Sequence, residues 1–124
     1  MVRSVRAVPD RVDPLACTPP DPPEQPEVIA EVEDPDDSAA SIIVRLMYGV
    51  GGASSYQGEA RMTYDPGRRV FVHRLPAVTR QAVGAQARSI GLPVVARNAS
   101  DPGGPTPPVT GFILIASYCL NPSN

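Results

Sequence analysis

No lysine and no tryptophan occur in these 124 residues, histidine appears once and cysteine twice. Each scarcity removes a class of function. A structural zinc site needs four Cys or His ligands at short spacings, which Cys17, His73 and Cys119 do not supply. His73 sits within a strand-like run with no Ser or Cys nucleophile motif beside it, so the chain reads as noncatalytic and without a cofactor. Four tyrosines and two phenylalanines give little material for an aromatic platform. All 11 basic residues are arginine, in keeping with a GC-rich coding bias. None forms the dense, aromatic-supported basic cluster that nucleic-acid binding uses. The longest late apolar run, Phe112 to Ala116, is far short of the roughly 20 residues that cross a bilayer as a helix, so no membrane insertion by this segment is expected. Met1 to Arg6 is positively charged, but no apolar h-region follows to make a signal peptide.

What is present is proline, at 16 residues, in a chain that is nevertheless 42% hydrophobic. Its apolar residues recur at every second position in short runs, the spacing of half-buried strands. "VRSVRAV" (2–8), closed by Pro9, suits an edge strand. "EVIAEVE" (27–33) alternates Val28, Ala30 and Val32 with Glu31 and Glu33. "IIVRLMY" (42–48) turns Ile42, Val44, Leu46 and Tyr48 inward, leaving Ile43, Arg45 and Met47 outward. "EARMTY" and "RRVFVHRL" flank "DPG" as a hairpin. Residues 76–89 suit either a short helix or an ordered loop, Gly84 weighing against the helix. "IGLPVVARN" (90–98) predicts a strand with a bulge at Pro93 or a late start at Val94. "VTGFILIASYC" (109–119) is apolar on both faces over Phe112 to Ile115. Residues 14–26 hold six prolines and predict a stiff, extended crossing between strands. About seven short strands in a chain of this length predict one all-β sandwich domain spanning 1–124.

Charge is divided along the chain. Residues 1–41 carry 10 acids and 3 arginines, and residues 42–124 carry 3 acids and 8 arginines. Solvated faces account for both blocks. Asp34, Asp36 and Asp37, Asp65, and Asp101 lie in three Asp-Pro turns that such a sandwich projects from one end. Together they are candidate oxygen ligands for calcium. Ordinary turn chemistry explains the same residues, and no calcium-loop motif is present. Arg45, Met47, Arg97, Phe112 and Leu114 are the candidate interface, because an outward apolar strand needs a cover or a partner. The proline-rich segment is one candidate cover.

Cys17 and Cys119 stand near opposite ends of the chain, either as reduced buried thiols or as a clasp. A bridge closing a loop near 100 residues stabilises by about 4.7 kcal/mol in the chain-entropy model and implies an oxidising compartment.

The succession "VRAVPDRVDPLAC", "VIAEVEDPDDSAASIIVRLMY", "ARMTYDPGRRVFVHRL" and "VVARNASDPGG", then a strand ending in "YC", resembles the immunoglobulin-like or fibronectin-III-like extracytoplasmic modules of actinobacterial membrane and secreted proteins. Cys17, Asp34, Tyr48 and Cys119 match that pattern. Asn98 stands where the pattern has Asp. The resemblance implies an immunoglobulin-like Greek-key sandwich of about seven strands, its terminal regions joined by a Cys17–Cys119 disulfide. It further implies a binding or spacer module, part of a longer exported or membrane-anchored protein, with a protein or cell-wall partner. A small-ligand or carbohydrate-binding sensor domain on a signalling protein is the alternative.

Overall fold

A computed structural model of the chain describes residues 2–33, 42–51, 55–98 and 108–116. Nine strands and one helical turn follow in order: β1 (Val2–Val8), β2 (Arg11–Val12), β3 (Glu27–Val32), β4 (Ile42–Val50), β5 (Gln57–Arg61), β6 (Thr63–Asp65), β7 (Val70–Arg74), α1 (Arg80–Val83), β8 (Ser89–Asn98) and β9 (Val109–Ile115). They form two sheets, β1-β3-β7-β6 and β2-β9-β8-β4-β5. All partners are antiparallel except β2 and β9, which run parallel.

The two-residue alternation read from the sequence sorts each strand's side chains between a core and an outer face. Val28, Ala30 and Phe71 from the four-stranded sheet meet Val44, Leu46, Ile90, Leu92, Val94 and Ile113 from the five-stranded one in a single apolar cluster. Among the described residues no polar or charged residue is buried. The buried phenol of Tyr56 donates to the Pro76 carbonyl at 2.7 Å. Burial, with Tyr48 nearby, pushes its ionisation above the usual tyrosine range, so it stays neutral.

The chain changes sheet twice by short steps. After β1 it passes Pro9 and Asp10 to β2, where Leu114 N–H donates to the Asp10 carbonyl (2.9 Å) and Ala116 N–H to that of Val12 (3.1 Å). The second step divides "EARMTY", expected to be one strand. Residues to Arg61 pair with β4, whereas Thr63–Asp65 pair with β7. Met62 between them is buried, its N–H on the Val44 carbonyl at 2.8 Å. Alternation continues through Met62, and what changes there is the partner strand, from β4 to β7.

Pro93 neither bulges β8 nor delays its start. The register with β4 is the same before and after it, Leu46↔Val94 and Gly49↔Gly91, with the ladder interrupted only between. Proline's fixed φ is compatible with an extended strand, so what is lost is one donor. Residues 76–89 adopt one helical turn, capped by Thr79 Oγ1 accepting from Ala82 N–H at 3.1 Å and ended at Gly84, whose φ is 90°.

The proline-rich crossing connects β2 to β3, and so one sheet to the other. It does not cover β9, because its buried residues Pro14, Leu15 and Pro26 dock elsewhere. Leu75 N–H donates to the Pro26 carbonyl, Val78 N–H to that of Glu24, and Arg80 to those of Leu15 and Ala16.

At the edge where β1 approaches β9, Gly111 is sterically required: a Cβ there would lie 2.7 Å from the Val5 carbonyl oxygen and 2.9 Å from Val5 Cγ1. Gly111→Ala should cost about 1–3 kcal/mol in urea unfolding. Gly91→Ala, whose Cβ meets nothing nearer than 3.7 Å, should stay within about 0.5 kcal/mol of the parent. Equal costs would contradict this packing.

Candidate binding face

The outer faces of the two sheets differ in how far they satisfy themselves. On the four-stranded sheet Arg3 pairs with Glu33 at 3.4 Å. Arg68 binds Glu27 through two nitrogens (2.8 and 3.0 Å) and Asp65 at 2.7 Å. Asp65 is in register with Val70 and Glu27 with Arg74. A guanidinium held by both therefore lies over the middle of β7, where Val72 pairs with Ile29. Ile29 points outward and is nevertheless 2% exposed.

Asp65, a candidate calcium ligand, is thus committed to its own turn. One oxygen accepts from Gly67 N–H (3.0 Å) and Arg68 N–H (3.3 Å), and the other from Arg68 Nε. Asp34, Asp36, Asp37 and Asp101 lie outside the described residues, as does Cys119. Among the described residues no three His, Cys, Asp or Glu side chains gather as a metal site would need. The hydrogen bonds from Arg68 hold both Glu27 and Asp65 below their usual carboxylate values of 4.5 and 3.8. Depressed carboxylates contribute stability that is complete above those values and lost as pH falls through the lowered native ones. Arg68→Ala should accordingly lower the melting temperature at pH 7, and the gap from the parent should close below about pH 4. A gap constant across that range would contradict the bridge.

The five-stranded sheet is different. Its outward residues are Gln57, Glu59 and Arg61 on β5, Ile43, Arg45, Met47 and Gly49 on β4, Gly91, Pro93, Val95 and Arg97 on β8, Thr110, Phe112 and Leu114 on β9, and Arg11 on β2. Every residue of the expected interface lies here and is exposed. Arg45, Met47 and Arg97 share one region across β4 and β8, while Phe112 and Leu114 stand on β9 at the other side. Four large hydrophobic residues are exposed among those described: Val8 (53%), Met47 (44%), Phe112 (63%) and Leu114 (54%). Three belong to this face. The fourth, Val8, lines a groove of about 450 Å³ with Pro9, Asp10 and Phe112 itself.

Toward the opposite end of the face a depression of about 300 Å³ is lined by Ile43, Arg45, Val95, Ala96 and Arg97. Arg45 pairs in register with Arg61 on one side and Val95 on the other, and Ile43 with Arg97. Glu59 Oε1 accepts from Arg45 at 3.0 Å. No ion pair among the described residues involves Arg61 or Arg97. Arg61, Val95 and Val8 were not singled out from the sequence. Nothing in "EARMTY" reveals that Arg61 faces Arg45 until the strand's division between the sheets is known.

Cys17 is exposed and is not a free thiol. His73 is half-buried on the inner side of β7, opposite Val28.

No protein-family model and no curated protein matches the chain. Among solved structures it is similar to a carbohydrate-binding module of family 56, a β-1,3-glucan binding domain. Identity is 21%, coverage is 70% of this chain and 84% of that one, and the TM-score is 0.40. A likeness of that size carries no argument about ligand.

Proposed function

We propose that the chain is a noncatalytic immunoglobulin-like binding module of a larger exported or membrane-anchored protein, and that it binds through the outer face of the five-stranded sheet. The observation behind this is the placement of Met47, Phe112 and Leu114 on that face, exposed beside arginines. Phe112 and Leu114 stand together on β9, and exposed apolar side chains grouped in this way mark interaction surfaces, in which arginine and aromatic residues are enriched. The opposite face carries its own ion pairs.

The immunoglobulin-like reading rests on strand order. The sequence β1-β3-β7-β6 corresponds to A-B-E-D, and β9-β8-β4 to G-F-C, with β5 as an added edge strand. A Greek-key path follows from that correspondence. The Cys17–Cys119 clasp is supported by the parallel pairing Val12↔Ile115. In the sequence Cys17 follows Val12 by five positions and Cys119 follows Ile115 by four. An oxidised clasp would place the domain outside the cytoplasm. Mass spectrometry after alkylation should find no reactive thiol before reduction and two after. Two thiols beforehand would remove the clasp and the case for export.

The test of function compares the immobilised domain with its Phe112→Ser, Leu114→Ser double variant against cell-envelope proteins of its source. The parent should retain a partner that the variant loses at least about tenfold, with unfolding stability changed by no more than about 1 kcal/mol, two surface changes at up to about 0.5 each. Retention that is equal in the two, or absent from the parent, contradicts the reading. Retention of a β-1,3-glucan in place of a protein would favour a carbohydrate-binding module.

A further inference from the structure

We infer that the depression between Arg45 and Arg97 docks an acidic, extended segment of a partner protein, with an apolar side chain of that segment seated on Ile43 and Val95. This rests on the five-stranded face being the binding surface, and it names the chemistry of the occupant. Three guanidinium groups, those of Arg45, Arg61 and Arg97, face outward within two neighbouring strand pairs. Glu59 is the carboxylate bonded to one of them. Like charges directly opposite on a sheet are destabilising, so the Arg45↔Arg61 pairing does not serve the fold. On the other sheet Arg3 and Arg68 are paired with carboxylates, and Arg74 donates to the Gln25 carbonyl.

The arrangement suits a chain more than a small anion. Arg97 stands diagonally from Arg45, because Arg45 pairs with Val95. Such diagonal neighbours lie about 7–8 Å apart, close to the roughly 6.8 Å between alternate side chains of an extended peptide. Alternate carboxylates on one extended segment can therefore reach both forks, which bind carboxylates through paired N–H groups. Ile43 and Val95 are half-buried in the floor of the depression. An inorganic anion or a nucleic-acid backbone would leave that apolar floor unused, whereas an acidic–apolar–acidic segment covers it.

The probe is a short fluorescein-labelled peptide of Glu and Asp containing two leucines, read by anisotropy against the whole chain. Two control peptides replace the leucines by serine or the acids by lysine. Binding should fall about tenfold with Arg97→Glu, and again on raising salt from about 0.05 to about 0.3 M. It should also fall severalfold for the serine peptide and be absent for the lysine peptide. Arg97 is exposed, so circular dichroism and the unfolding midpoint should be unchanged in the variant, and Arg3→Ser on the opposite sheet should leave peptide binding within about twofold.

Undiminished binding to Arg97→Glu overturns the proposal, as does equal binding of the leucine and serine peptides, which would be unspecific anion attraction. Tenfold tighter binding by a variant carrying Asp34→Asn, Asp36→Asn and Asp37→Asn would assign the depression to the chain's own acidic segment, and also overturns it. Should the peptide fail while the Phe112 and Leu114 variant still loses its envelope partner, the binding face stands and the acidic occupant does not.

Discussion

Everything in this molecule depends on two sheets closing over one apolar core, and on the chain stepping between them at their edges. The step through Pro9 and Asp10 puts β1 on one sheet and β2 on the other. The step at Met62 does the same for β5 and β6. Each sheet alone would expose a continuous apolar face. Shared, those faces form one cluster, with no polar or charged residue buried among those described. Gly111 allows the close approach of β1 to β9 that shuts one side. The proline-rich crossing docks along residues 75–80. That docking leaves β9's outer side chains exposed.

The two outer faces then take different roles. A single arginine, Arg68, ties two carboxylates on the four-stranded sheet, and Ile29 beneath that face is closed to solvent. The five-stranded sheet combines exposed Phe112 and Leu114 on one side with Met47 and arginines on the other, one arginine paired to Glu59. The burial of apolar area and the pairing of charge are both incomplete there. Folding leaves them incomplete, so binding is the process that would complete them.

Strand content was legible because most strands alternate strictly, and a strand that alternates declares its inner face without knowledge of its partners. The outward placement of Arg45 and Met47 followed from that alone, whereas β9 is apolar on both faces and only the structure puts Phe112 and Leu114 outside and Ile113 and Ile115 inside. Partnership was less accessible. Dividing "EARMTY" between two sheets depends on Met62 turning into the core, and Met62 sits in the same alternation as its neighbours. Pro93 looked disruptive because proline removes a donor, yet an interrupted ladder in an unshifted register tolerates that loss. The bridge from Arg68 to Glu27 was equally hidden. It joins residues 41 positions apart, and no local pattern announces such a contact.

The most direct measurement of the central claim is position-specific photo-crosslinking with benzoylphenylalanine at residues 47 and 112 on the five-stranded sheet, and at residues 31 and 72 on the other. The account predicts adducts to one partner from 47 and 112 and none from 31 or 72. Adducts from the four-stranded sheet, or none from the five-stranded one, would contradict it.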